Sequence, residues 1–118
     1  MKTFTRCLCT SWFMIFCHLS ALANGYEQKQ IMDNERVRIL IVTCPPNAES
    51  PNVIRLQDRV VYALEGGTIQ RIYANGQESI IEYQKGEVFF SNAPEDKLQY
   101  AIKNIGATTV ILQVIYLK

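Results

Sequence analysis

The most informative segment of this 118-residue chain is residues 45–67, PPNAESPNVIRLQDRVVYALEGG. It opens with two prolines, which cannot donate to a β-ladder, and it closes with a pair of glycines. Between them, residues 59–64 form an apolar, β-branched run that is typical of a strand. Arg59 is the first residue of that run, and Arg55 lies four residues before it, in the shorter apolar run 53–56. The segment therefore predicts a loop that leads into a strand and carries two permanent positive charges.

On both sides of this segment the sequence predicts short strands joined by turns. Apolar or alternating runs occupy residues 36–43, 53–56, 59–64, 68–73, 78–83, 87–91, 98–103 and 108–117. Asn75-Gly76 separates two of these runs, and this pair is a strong hairpin signal because both residues accept a positive φ. Seven or eight strands at this spacing, without a useful helical period, indicate an all-β sandwich or barrel.

The first 23 residues read as a secretory signal peptide rather than as part of the fold. Lys2 and Arg6 precede an apolar run, and Ala21-Leu22-Ala23 is a small-x-small cleavage site. The apolar run is shorter than the roughly 20 residues that span a bilayer. We therefore expect cleavage near Ala23 and an exported protein, periplasmic or secreted, with no membrane contact afterwards. The expected organisation is a signal peptide at 1–23, an N-terminal segment at 24–35 and one domain at 36–118.

Cleavage would remove most of the residues that usually carry chemistry. Three of the four cysteines and the only histidine lie in residues 1–23, so residues 24–118 keep Cys44 alone. One cysteine cannot form an intramolecular disulfide, and Cys44 is expected to be a small buried side chain rather than a nucleophile. Without an imidazole, the usual zinc sites, the histidine-dependent nucleophiles and the histidine general base are excluded.

The charge balance gives no support for nucleic-acid binding. The whole chain carries 12 basic and 11 acidic residues, and removing Lys2 and Arg6 leaves 10 basic against 11 acidic. A phosphate backbone calls for a clearly basic face. Nucleic acid is therefore not an expected partner.

Residues 45–67 resemble the first motif of the cupin superfamily, in which a glycine, two histidines, a glutamate and a final glycine recur at fixed spacing. On this chain those positions hold, in that order, Asn47, Val53, Arg55, Arg59 and Gly66. The second motif is less distinct: it would open at Gly86 and close at Asn104, which places Tyr100 at its histidine position. The spacing of the first motif is kept, but its metal-binding residues are not.

The resemblance implies a double-stranded β-helix jelly roll over residues 36–118, with a cavity between its two sheets. It would normally also imply a divalent metal, but Val53 has no donor atom and a guanidinium is a permanent cation with donors only. We therefore expect no metal and no cofactor. If the register holds, Arg55 and Arg59 face inward beside Tyr100 and form a ligand-binding group for a carboxylate, a phosphate or an acidic sugar.

Other interpretations of these residues remain open at this stage. Arg55 could lie in a solvated loop, Arg59 could pair with Asp58 or Glu65, and Tyr100 could be a core residue. The glutamates that alternate with apolar residues are expected on a solvated face: Glu78, Glu82 and Glu87.

Three functional hypotheses follow. The first is an exported, metal-free protein that binds a small anion without catalysis. The second is a metal-independent isomerase or epimerase acting on a sugar or hydroxy acid, with Tyr100 or a glutamate as proton carrier. The third is a structural or assembly module with a filled barrel.

The apolar runs at residues 109–117 and 38–42, together with the resemblance to small single-domain cupins, also predict a homodimer. The alternative is that these faces are covered within the barrel and by residues 25–33.

Overall fold

The computed structural model describes residues 24–94 and 97–118. The predicted signal peptide, residues 1–23, lies outside the described residues. Within them the chain forms eight strands: β1 (Glu27–Asp33), β2 (Val37–Cys44), β3 (Arg59–Glu65), β4 (Gly67–Tyr73), β5 (Glu78–Tyr83), β6 (Val88–Ser91), β7 (Tyr100–Asn104) and β8 (Val110–Leu117). The all-β prediction is confirmed. Across the described ranges, no helix is long and apolar enough to cross a bilayer.

The strands form two antiparallel sheets that face each other. One has five strands in the order β1-β2-β8-β3-β6, and the other has three in the order β5-β4-β7. The predicted jelly roll is therefore confirmed. Its core lies between the sheets and contains the largest fully buried side chains of the described residues: Ile69, Val61, Val110, Asn104 and Cys44.

Strict alternation along the strands decides which side chains reach the space between the sheets. On β3, Arg59, Val61 and Ala63 are buried, whereas Val60 is half-buried and Tyr62 is exposed. Successive strand residues point to opposite faces, so Arg59 shares the inner face with Val61. The same alternation along β6, which pairs with β3, places Phe89 against the core and leaves Phe90 exposed.

Two turns show how the sequence closes the barrel. The predicted hairpin between β4 and β5 is confirmed, but only Gly76 takes a positive φ, of 91°. The Gly76 amide donates to the carbonyl of Tyr73 at 2.9 Å, and the Tyr73 amide donates to Gln77 at 2.8 Å. These bonds describe a three-residue loop that ends in a left-handed residue, a common hairpin closure. Asn47, at the first glycine position of the motif, has a φ of 68°, and asparagine tolerates that conformation.

Two segments differ from the prediction. The N-terminal segment was expected to precede the barrel, but residues 27–33 form β1, which pairs along β2 at the sheet edge. Every residue of β1 is exposed, so its sequence lacks the alternation of apolar and polar residues by which a half-buried strand is predicted. Conversely, residues 53–56 were predicted as a strand and form only one isolated bridge, between Val53 and Tyr100.

Candidate ligand-binding cavity

A cavity of about 330 Å³ lies between the two sheets. Its apolar wall comes from both of them: Leu40, Leu112 and Val114 on the five-stranded sheet, and Ile69 and Ile102 on the three-stranded sheet. The barrel is therefore not filled by side chains, which removes the main requirement of the assembly-module hypothesis. The volume falls in the range of small-molecule sites, about 300–1,000 Å³.

Arg59 projects into this cavity from the first residue of β3. Arg59 is 9% exposed, and its Nε is buried without a hydrogen-bond partner in the described part of the chain. Glu65 and Asp58, the two carboxylates that the sequence offered as partners of Arg59, bind other groups. Glu65 forms an ion pair with Lys85 at 3.3 Å, and Asp58 accepts a hydrogen bond from the Ala93 amide at 2.8 Å.

Arg55 also lines the cavity and does not lie in a solvated loop. It is 6% exposed, and its terminal nitrogens donate to Ser91 O and Ser91 Oγ, each at 3.1 Å, and to the carbonyls of Gln57 and Asn92. These bonds fix the 55–57 segment against the end of β6. Its Nε, like that of Arg59, has no partner among the described residues.

Tyr100 completes the group that the sequence singled out. It is the first residue of β7, it is 4% exposed, and it lines the cavity beside Arg55 and Arg59. Its backbone pairs with Val53 in both directions, at 2.9 and 3.0 Å. The two motif segments therefore meet here through the main chain. The Tyr100 ring also packs against that of Tyr73, with centroids 5.7 Å apart.

Two further arginines line the same cavity, and the sequence analysis missed both. The guanidinium carbon of Arg38 on β2 lies 5.0 Å from the centre of the Tyr116 ring, and that of Arg71 on β4 lies 4.8 Å from the centre of the Tyr100 ring. Neither belongs to a cupin motif, which is why motif spacing did not reveal them. The alternation of side chains along a strand could have revealed them. Arg38 lies two residues from buried Leu40 and Arg71 lies two residues from buried Ile69, so each arginine points to the inner face.

The basic residues are divided sharply between the cavity and the surface. Residues 24–118 contain five arginines, of which four line the cavity, and five lysines, of which none does. No aspartate or glutamate of the described residues lines it either. Burying a cation costs several kcal/mol unless it is paired. The site is therefore strongly positive and contains unpaired donors.

Neighbouring charges and burial change the acid–base behaviour of the cavity wall. Burial lowers the pKa of Arg55, and the charges of Arg59 and Arg71 lower it further, against the opposing effect of Tyr100. Burial raises the pKa of Tyr83, while Arg59 and Arg71 oppose that rise. Arg59 and Arg71 therefore act on both Arg55 and Tyr83.

Cys44 is buried, as expected from the sequence, and lies outside the cavity wall. Its Sγ is 3.6 Å from the carbonyl oxygen of Ala48, and burial raises the pKa of its thiol. A raised pKa leaves less thiolate, so Cys44 is poorly suited to act as a nucleophile.

The three candidate glutamates face away from the main cavity. Glu78, Glu82 and Glu87 are exposed, and their carboxylates accept hydrogen bonds from Gln70, Thr68 and Gln84. Glu78 borders a separate, more open pocket of about 530 Å³ that shares Arg55, Arg71 and Tyr100 with the main cavity. The solvated-face interpretation agrees with this placement.

The residues at the metal positions of the motifs do not fit a metal ion. Val53 offers no donor atom, Arg55 and Arg59 are buried cations, and the Tyr100 ring packs at a tilt against that of Tyr73. In residues 24–94 and 97–118 there is no group of three or more histidine, cysteine, aspartate or glutamate side chains that could hold one.

Comparison with solved structures identifies the fold. A cupin domain from Bordetella pertussis matches with a TM-score of 0.69 and 19% identity over 79% of this chain and 93% of that one. An RmlC-like cupin protein from Methanocaldococcus jannaschii, with a double-stranded β-helix fold, matches with a TM-score of 0.60 and 14% identity over 80% and 82% of the two chains.

A protein from Silicibacter pomeroyi described as a sugar phosphate isomerase from a cupin superfamily is also similar, with a TM-score of 0.56 and 17% identity over 85% of this chain and 64% of that one. Neither a protein-family model nor a curated protein matches the sequence. The chain has the cupin fold, as the motif resemblance implied.

Proposed function

We propose that this protein is exported and binds a small organic anion in the cavity between its sheets, without a metal and without catalysis. The observation that carries the proposal is the charge of the cavity wall: four arginines and, among the described residues, no carboxylate. A guanidinium forms paired hydrogen bonds with carboxylate and phosphate groups. An anion beside these guanidiniums would offset the cost of burying their charge, which the partnerless Nε atoms of Arg55 and Arg59 leave uncompensated.

The same wall gives less support to catalysis. An isomerase or epimerase needs a group that removes a proton and one that returns it. Tyr100 is in the cavity, but Glu78, Glu82 and Glu87 are outside it. A protein described as a sugar phosphate isomerase shares the fold at 17% identity, so a sugar phosphate is one of the ligands to be tested.

The proposal is tested by thermal unfolding with a panel of carboxylates, phosphates and acidic sugars. A ligand at about 100 times its Kd stabilises the folded state by about 2.7 kcal/mol, which raises the Tm of a domain this size by several degrees. We expect such a rise in the parent protein and its loss in Arg59→Gln. Arg36→Gln is the matched control, because Arg36 is exposed and is the one arginine of residues 24–118 outside the cavity wall.

Two results would contradict the proposal. One is a panel in which no anion raises the Tm. The other is a rise of equal size in the parent and in Arg59→Gln. Arg55→Gln is a weaker probe, because Arg55 also holds Ser91 and Asn92 and its loss affects the fold.

The export part of the proposal rests on residues 1–23 and has its own test. Expression in a host with a secretory pathway, followed by intact-mass measurement, should give a protein that begins at Asn24. A cell-associated product that keeps Met1 to Ala23 would show that the segment is not a cleaved signal peptide.

A further inference from the structure

The arginines that line the cavity start from three different strands and from the 53–57 segment. On the five-stranded sheet, Tyr116 on β8 is the cross-strand partner of Arg38 on β2 and of Arg59 on β3. All three line the cavity, so they form one row across three neighbouring strands. Strands lie about 4.8 Å apart, which places the backbones of Arg38 and Arg59 about 10 Å from each other, with the Tyr116 side chain between them.

At the Arg59 end of this row, two further arginines, Arg55 and Arg71, line the cavity. Arg55 and Arg71 reach the cavity from the 53–57 segment and from β4, and both positions adjoin Tyr100. The Arg71 guanidinium lies over the Tyr100 ring, and Val53, two residues before Arg55, pairs with the Tyr100 backbone. The charges of Arg59 and Arg71 both act on Arg55. We call Arg55, Arg59 and Arg71 the three-arginine cluster.

Arg38 forms the other end. Its cross-strand neighbour on β1 is Asp33, the nearest carboxylate in the register, but that side chain is bonded to Lys118. The Arg38 guanidinium instead stacks over Tyr116 and faces the cavity. Cation–π contact with a tyrosine leaves the N–H groups at the guanidinium edge available for an acceptor.

From this arrangement we infer that the ligand is a small dianion whose two anionic groups lie at opposite ends of an apolar body. One group binds the three-arginine cluster and the other binds Arg38. The body between them packs against the apolar wall formed by Leu40, Leu112 and Val114. The inference rests on the proposed function and adds the number and spacing of the charges. A cavity of about 330 Å³ suits a compact molecule of this kind.

Four probes that share a benzene ring separate the charge arrangements. Benzoate carries one carboxylate, terephthalate carries two at opposite ends, phthalate carries two side by side, and phenyl phosphate carries up to two charges on one group. Calorimetric titration of the purified protein with each probe gives its Kd. We expect terephthalate to bind about tenfold or more tightly than each of the other three, because it alone can reach both ends.

Variants assign the charges to their residues. The terephthalate-to-benzoate affinity ratio should fall to about one in Arg38→Gln, because only the dianion uses that end. Arg59→Gln should weaken both probes, and Arg36→Gln should leave the ratio at its parental value. The far-ultraviolet circular dichroism and Tm of each variant confirm that the fold is kept.

The outcomes separate this inference from the proposed function. Benzoate binding as tightly as terephthalate, or a ratio unaffected by Arg38→Gln, overturns the inference and leaves anion binding in place. Phenyl phosphate or phthalate binding more tightly than terephthalate also overturns it, because the two charges would then lie together at one end. If none of these four probes binds, the inference fails, and if no anion of the wider panel binds either, the proposed function fails with it.

Discussion

At the residue scale, Asn104 joins separate parts of the fold through its side chain. Asn104 is fully buried, and its Nδ2 donates to the carbonyls of Cys44 at 2.7 Å and Thr108 at 2.8 Å. Its Oδ1 accepts from the Gly106 amide at 2.9 Å. One side chain therefore ties together the end of β2 and the turn between β7 and β8.

We predict that Asn104→Ala lowers the free energy of unfolding by roughly 3 kcal/mol, because it leaves buried carbonyl groups without a donor. Asn75→Ala is the control, since Asn75 is exposed in a hairpin loop and bonds only locally to Gln77. Its effect should be about 1 kcal/mol or less. Urea unfolding of the two variants checks both values, and equal midpoints would show that the Asn104 network does not stabilise the fold.

Individual residues also show how far the sequence alone could go. Motif spacing found Arg55, Arg59 and Tyr100, and all three line one cavity; whether they bind a ligand remains a prediction. Spacing could not find Arg38 and Arg71, which no motif contains. It also could not show that Glu65 does not pair with Arg59, because Glu65 forms its ion pair with Lys85, which is distant in sequence.

At the element scale, the turns were easier to predict than the edges. The hairpin at Gly76 and the strand at 78–83 agree with the structure, because turn residues and buried alternation leave clear patterns. β1 was missed because an exposed edge strand carries no alternation. The segment predicted as a strand at 53–56 pairs through its backbone only at Val53, and the Arg55 side chain anchors it to the end of β6.

Two glycines that look alike in the sequence should tolerate different replacements. Gly76 has a φ of 91° and open space around its Cα, whereas a Cβ on Gly66 would lie 2.3 Å from the carbonyl oxygen of Tyr83. Gly76→Val should cost about 1–2 kcal/mol through backbone conformation, and Gly76→Asn should recover most of that loss. Gly66→Asn should not be better tolerated than Gly66→Ala, because any Cβ meets the same oxygen.

Denaturant midpoints of the four variants decide this prediction. A Gly76→Asn protein as unstable as Gly76→Val would argue against conformational strain at that turn. A stable Gly66→Ala protein would mean that β5 can move away from Gly66 at little cost.

At the scale of the whole molecule, the outer face of the five-stranded sheet carries a continuous row of apolar side chains. One cross-strand row runs over all five strands and contains Met32, Ile39, Ile115, Val60 and Phe90. Met32 and Phe90 are 48% and 55% exposed. β1 does not cover this face, because it extends the sheet at its edge. A contiguous apolar face of this kind indicates a protein–protein interface.

The predicted homodimer should therefore form through this face. Light scattering at micromolar concentration is expected to give twice the mass of one chain for the parent protein. Phe90→Glu, which places a charge at the end of the row, should give the mass of a monomer. Ile80→Glu is the control, since Ile80 is 61% exposed on the three-stranded sheet. A monomeric parent, or a Phe90→Glu protein that stays dimeric, would contradict this interface.

The position of β8 has a consequence for how the molecule acquires its structure. β8 comes after the other seven strands in the sequence, yet it lies in the middle of the five-stranded sheet, between β2 and β3. The pairing of Val37 with Leu117 joins residues eighty positions apart. Contacts of such long range slow folding, because the intervening chain must be ordered first. A nascent chain that has not yet reached Val110 lacks the strand that joins β2 to β3, so its five-stranded sheet cannot be completed before β8 has been synthesised.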